Sequence, residues 1–309
     1  MKIDMRDAFF ERIVEKALSD ERIIFLTADH GAFALKRFEN EIPNRFINIG
    51  ISEQNMMGVA AGLASSGKIV FAYGISPFVS LRVLEQITLD ISAMKLPVNI
   101  VSVGAGFTYS TDGPTHHGLQ DLSALITVPE INILNSSDPF NTKLFVDYVI
   151  ETKKPHYIRI EKEKVFPFPN SEISIDKGFR YLTKKEGKVL IISTGIILHS
   201  LIENYEYIRN EIEDEFSVID LFKIKPINKE LLNLICNYKY VITLEEGYVT
   251  GMASFFQSNI SNNFINKQVF TIGVKEKFIF KYSTRSELLK EVNLDVDGII
   301  SSIKKIMNC

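Results

Sequence analysis

Apolar residues recur at helical spacing over residues 5–18, where Phe9, Ile13 and Ala17 make one row and Phe10, Val14 and Leu18 the next. The run that follows, IIFLT at 23–27, has no polar alternation and predicts a short strand buried on both faces. That order then repeats. FINI (46–49) precedes a helix from Glu53, IVFA (69–72) a helix over 81–94, VNIVSV (98–103) a long loop, INIL (131–134) a helix through Phe145, and YIRI (157–160) closes the series. Fully apolar strands alternating with helices predict a parallel sheet covered on both faces.

Periodicity stops in EKEKVFPFPNSEISIDKG (161–178), where charge, two prolines and small polar residues predict a linker. Beyond it KVLIIST, FSVIDL, YVITLEE and QVFTIGV are strand-like, each followed by a helical pattern. The sequence thus predicts an α/β chain of two doubly wound domains with mainly parallel sheets: 1–165, a linker over 166–178, and a smaller domain over 179–309.

Composition narrows the class without changing this picture. The 309 residues are 46% hydrophobic and 24% charged, with a net charge of −3 and no long block of like charge, so no electrostatic footprint for nucleic acid or an anionic membrane is present. Cys236 and Cys309 lie far apart, which supports neither a disulfide framework nor a zinc site. The N-terminal residues lack the apolar stretch and cleavage site of a secretion signal, and no run of 18 uninterrupted apolar residues follows. The expected location is the cytoplasm.

Three segments fall at the carboxyl ends of predicted strands, where parallel sheets place functional loops. In GISEQNMMGVAAGLA (50–64), Ser52 suits an N-cap and Glu53 is a first-turn acid of the kind the helix dipole favours. In FAYGISPFVSLRVLEQI (71–87), Phe78 either packs in the core or presents a ring at a strand-to-helix turn. GAGFTYSTDGPTHHGLQDLSAL (104–125) is a long polar loop bearing Asp112, His116 and His117. Adjacent histidines seldom converge on one ion and no cysteine is near, so the pair reads as proton-handling side chains or a solvated pair, and no metal site is assigned to this chain. His30, in TADHGAF, reads as a surface or capping residue. Fingerprints of dinucleotide folds, P-loops, zinc proteases and hydrolase elbows are absent.

Taken in order, RFINIGISEQNMMGVAAGLA, DGPTHHGLQDLSAL followed by VPEINILNSSDP, and more weakly DLFKIKPIN and LEEG, resemble the C-terminal half of transketolase. That half comprises the pyrimidine-binding and C-terminal domains of a thiamine-diphosphate enzyme, and the similarity runs over nearly the whole chain. The resemblance implies that Glu53 hydrogen-bonds N1′ of the cofactor's aminopyrimidine, where a carboxylic acid favours the imino tautomer that removes the thiazolium C2 proton. It implies that Phe78 stacks on the pyrimidine, and that Ile75 and Leu81 stand where transketolases have two further aromatics. His116 matches the histidine that contacts substrate near the reacting carbonyl, Asp112 the aspartate that reads a donor hydroxyl, and His117 has a place as loop support. Arg6 and Lys162 match two phosphate-binding arginines, the second as a point charge in place of a bidentate fork.

Departures bear on the substrate. The family's phosphate-binding serine appears as Phe33, and a histidine early in the long loop appears as Gly104, so the expected substrate is a sugar or sugar phosphate other than the ordinary pentose phosphates. The family's GDG segment, which holds Mg²⁺ and the diphosphate, is also missing. The resemblance therefore implies a split enzyme, most simply an α2β2 heterotetramer, in which an N-terminal transketolase-type subunit holds Mg²⁺ and the diphosphate. This chain would be the subunit that helps pass a two-carbon ketol unit from a ketose to an aldose. The alternatives are a decarboxylating relative, either deoxyxylulose phosphate synthase-like or a 2-oxo acid dehydrogenase beta subunit, and a non-catalytic regulatory subunit. GYVTGMASFF departs from the glycine-rich pattern usual after EE, so the second domain is assigned a role in assembly.

Overall fold

The computed structural model describes residues 1–168 and 173–308; part of the expected linker, 169–172, and Cys309 lie outside them. Its strands in chain order are β1 (Ile3–Asp4), β2 (Ile23–Thr27), β3 (Phe46–Asn48), β4 (Ile69–Ile75), β5 (Val98–Val103), β6 (Asn132–Asn135), β7 (His156–Ile160), β8 (Lys164–Val165), β9 (Phe179–Tyr181), β10 (Val189–Ser193), β11 (Phe216–Leu221), β12 (Lys223–Lys225), β13 (Tyr240–Tyr248) and β14 (Val269–Val274). The first sheet runs β12-β6-β7-β5-β4-β2-β3 and the second β14-β13-β10-β11-β9. Among the described residues of these two sheets, only the edge strands β12 and β9 pair antiparallel. The apolar runs became buried strands because both faces are covered: Val70 and Ala72 pack on one side of β4, Phe71 and Tyr73 on the other.

Two expectations change. Residues 81–94 form no single helix: after a turn, a short helix at Leu84–Gln86 widens into π turns over Ile87–Ala93. The Thr88 hydroxyl donates to the Leu84 carbonyl at 2.7 Å, a back-bond that opens the helical ladder at the point of widening. The second change is β12, which follows β11 of the second sheet directly yet pairs with β6 of the first.

Side chains also join the two layers. Buried Arg180 pairs with Asp138 at 2.8 Å and Asp220 at 2.9 Å, the Ser137 hydroxyl donates to Asp220 at 2.5 Å, and Asn135 donates to Thr194 at 2.9 Å. Phe168 stacks on His199 at 4.3 Å. Nearer the long loop, Glu246 accepts the Phe107 amide and the Arg285 guanidinium, each at 2.7 Å. Cys236 is free and exposed, and among the described residues no helix is long and apolar enough to cross a membrane.

Glu245 lies buried beside this junction, and burial pushes its carboxyl up to about 7 although it accepts the Met252 and Ala253 amides. A carboxyl raised in the fold takes its proton before the unfolded chain does. Its favourable contribution is complete below about pH 4.5 and is lost as pH rises through 7. Glu245→Gln removes the titration, so the variant's stability relative to wild type is expected to rise across that window by ~1.4 kcal/mol per pH unit, about 3 kcal/mol in all. Urea unfolding at pH 5, 6, 7 and 8 measures this, and a pH-independent difference would exclude Glu245 as the titrating group.

Candidate active site

The loops after β2, β3, β4, β5 and β7 all emerge at the carboxyl edge of the first sheet, and every residue singled out by the sequence except Arg6 sits on or beside them. Glu53 opens the Glu53–Ser65 helix and is 3% exposed. Ser52 stands at the N-cap, but its hydroxyl makes no capping bond. One carboxylate oxygen of Glu53, Oε2, accepts Arg82 Nη1 at 2.7 Å. The other, Oε1, is buried with no hydrogen-bond partner. Such an atom costs about 1–3 kcal/mol, a cost removed by a ligand that brings a donor.

Phe78 is half-buried just beyond β4. The Arg82 guanidinium lies 4.1 Å from its ring centroid, the His116 ring stands edge-on at 5.1 Å, and the His30 ring is tilted at 6.0 Å. His30 is therefore no mere surface residue: its Nδ1 is buried without a partner, and burial lowers the ring's pKa below the usual histidine range. Sequence reading gave His30 only a surface or capping role and did not mark Arg82, although His30 follows a strand whose neighbours carry the other site loops.

The long loop closes on itself through a neck, where Gly106 and Gly118 exchange amide-to-carbonyl bonds of 2.9 and 2.8 Å. Gly106 has φ +58°, and a Cβ there would lie 2.4 Å from the Glu246 carboxylate. Inside the loop, His116 Nδ1 is 2.9 Å from the Thr115 hydroxyl, and Asp112 is exposed on the Ser110–Asp112 turn. His117 makes separate contacts: it is buried, 3.3 Å from the Ser110 carbonyl and edge-on to Phe107. Below the neck, Arg159 donates to the Gly118 carbonyl at 2.9 Å and pairs with Asp121 at 2.7 Å, and the Tyr157 hydroxyl donates to Asp121 at 2.7 Å. Tyr157→Phe deprives buried Asp121 of a donor and is expected to lower stability by about 1–3 kcal/mol. The urea midpoint measures this, and an unchanged midpoint would mean that the hydroxyl contributes nothing net.

Arg6 and Lys162 converge through a residue the sequence did not mark. Lys162 Nζ lies 4.2 Å from the Tyr109 ring centroid, and Arg6 is close enough to Tyr109 to oppose the upward push of burial on its hydroxyl pKa. Arg6 Nε is itself buried without a partner. Tyr109 also accounts for Gly104: with φ +92°, a Cβ there would sit 2.4 Å from the tyrosine ring, so the histidine expected at 104 has no room. Phe33 is 80% exposed beside a cavity of about 520 Å³ that Arg6 also lines. Ile75 is buried at the end of β4, while Leu81 is exposed. Among the described residues no group of three or more His, Cys, Asp or Glu side chains is arranged to hold a metal ion.

A buried acid with one unpartnered oxygen, an aromatic ring and a histidine-bearing loop thus gather at the carboxyl edge of the mainly parallel first sheet of an α/β protein. The chain belongs to the transketolase family: residues 1–167 match "Transketolase, pyrimidine binding domain" and residues 180–299 match "Transketolase, C-terminal domain". It is 31% identical to the 6-deoxy-6-sulfo-D-fructose transketolase subunit SqwH of Clostridium sp. (strain MSTE9), over 80% of this chain and 77% of that one. It is 28% identical to an apulose-4-phosphate transketolase subunit of Phocaeicola vulgatus, over 96% of this chain and 95% of that one. A solved structure described as a split gene transketolase, inactive beta4 tetramer, superposes with a TM-score of 0.86 at 28% identity, covering 100% of this chain and 99% of that one. Chains of this family are thiamine-diphosphate-dependent transferases, and this one has the form of a split subunit.

Proposed function

We propose that this chain is the pyrimidine-side subunit of a two-chain transketolase, acting in an α2β2 assembly whose other subunit holds Mg²⁺ and the diphosphate. The observation that carries this reading is the buried, unpartnered Oε1 of Glu53, whose other oxygen is linked through Arg82 to the Phe78 ring. When bound, thiamine diphosphate supplies the carbon nucleophile that cleaves a ketose and carries two carbons to an aldose. Glu53 holds a proton at N1′, Phe78 supports the pyrimidine face, and Ile75 and Leu81 border the ring. His116 exchanges a proton with the substrate oxygen at the reacting carbon, with its Nδ1 held by Thr115. Asp112 accepts from a donor hydroxyl, and His117 braces the loop from below.

At the far end Arg6 and Lys162, with Tyr109 between them, take an anionic group on the sugar. Relatives named for 6-deoxy-6-sulfo-D-fructose and apulose 4-phosphate, together with Phe33 and Gly104, support a modified sugar as substrate. The domains divide at 1–165 and 179–309, the second serving assembly, and the complex works in the cytoplasm.

Native mass spectrometry of the protein purified from its own organism with Mg²⁺ and thiamine diphosphate tests the assembly; a companion chain with bound cofactor is the expected result. Turnover of the recovered complex with hydroxy-ketone donors, phosphorylated and unphosphorylated, against pyruvate then tests the reaction. Preference for pyruvate would replace the ketol transferase with a decarboxylating enzyme, and preference for ordinary pentose phosphates would overturn the modified-sugar reading.

A further inference from the structure

We propose that Arg82 is a built-in occupant of the pyrimidine slot, a side chain that holds the place in the cofactor-free subunit and leaves when the cofactor enters. The proposal rests on the thiamine-diphosphate reading above. Two groups are offered to the pyrimidine, the Glu53 carboxylate and the Phe78 ring, and Arg82 engages both at once: Nη1 lies 2.7 Å from Glu53 Oε2, leaving Oε1 unpartnered, and the guanidinium carbon lies 4.1 Å from the Phe78 centroid, so the overlap with the pyrimidine falls on the ring face. A guanidinium is flat, stacks on aromatic faces and carries N–H donors in its plane. An aminopyrimidine facing a carboxylic acid and a phenyl ring is recognised by the same two features, a face and an in-plane edge.

The mobility required is confined to a side chain. The Arg82 amide donates to the Pro77 carbonyl at 3.2 Å and its carbonyl accepts Gln54 Nε2 at 3.3 Å, so the backbone is tied on both sides. The side chain is 44% exposed, against 3% for that of Glu53, and can swing toward solvent while the acid stays in place. Without Arg82, the cofactor-free subunit would hold a buried carboxylate with no countercharge, which is strongly unfavourable. Arg82 thus stabilises the empty site and opposes loading by the same contacts, as any closed state lowers apparent affinity.

The test is calorimetric titration of thiamine diphosphate, in saturating Mg²⁺, into the two-subunit complex carrying wild type, Arg82→Ala or Arg82→Lys. Arg82→Ala is expected to bind roughly tenfold tighter, with Arg82→Lys between the two, and to lower the thermal midpoint of the cofactor-free complex while leaving that of the loaded complex unchanged. In a Glu53→Gln background the gain from Arg82→Ala should largely disappear, because the two side chains act as one unit. The sign separates this role from ordinary attraction: if Arg82 merely drew in the anionic cofactor, its loss would weaken binding. Unchanged or weaker binding by Arg82→Ala, with normal binding by wild type, overturns the proposal and leaves the cofactor reading standing. Absence of thiamine-diphosphate binding by wild type overturns both.

Discussion

Glu53→Gln is expected to lower kcat of the two-subunit enzyme by roughly 10²- to 10⁴-fold, the range typical for removing a positioned acid or base. The amide has nearly the same shape, so on the proposed reading the substitution takes away the carboxyl proton offered to N1′ with little change of volume. Arg82 also loses its charged partner, and the free Oε1 position keeps its buried surroundings. The loss should fall on turnover, with the sugar KM little changed, because Arg6, Lys162 and Asp112 are untouched. Steady-state kinetics with a hydroxy-ketone donor measures it; unchanged turnover would return the chain to the class of non-catalytic subunits.

Arg180→Leu is expected to cost about 3–5 kcal/mol, the effect of stripping a buried charge cluster of its counter-ion. Asp138 and Asp220 are both fully buried, and burial already pushes the Asp220 carboxyl up to about 6 with Arg180 beside it. Asp138 cannot be exchanged for an apolar residue as compensation, because its other oxygen accepts the Phe140 and Asn141 amides and caps the Pro139–Thr152 helix. Denaturant unfolding of the variant reads the loss, and a change below about 1 kcal/mol would show that the cluster carries little of the junction.

Much of the fold was legible because the strands are long enough and buried enough to read as continuous apolar runs. IIFLT became β2, VNIVSV β5 and FSVIDL β11 with their boundaries intact. What escaped was short or set by distant contacts. Strands β1, β8, β9 and β12 have two or three residues each, too few for any period, and β12 carries lysines on both sides of one buried isoleucine. Glu53, Phe78 and His116 could be placed at loop positions, but only the fold brings them into one neighbourhood. Arg82 and Tyr109 left no local signal: one matters because its guanidinium crosses from its own turn to the Glu53 helix, the other because it fills the space above Gly104. The cap expected of Ser52 failed for the same reason, since the conformation of that turn is set by more than local propensity.

Strand β12 bears on how this protein can be cut and recombined. The stretch near residue 168 invites truncation, yet a fragment ending there would lose β12 and expose the edge of β6, where unpaired N–H and C=O groups recruit other chains. The fragment would also lose Arg180 from beside Asp138. A cut at residue 168 would thus strip the edge strand from the first sheet together with contacts that join it to the second. The two domains are therefore one unit for any recombination of this chain, because β12 belongs to the second domain in sequence and to the first sheet in pairing.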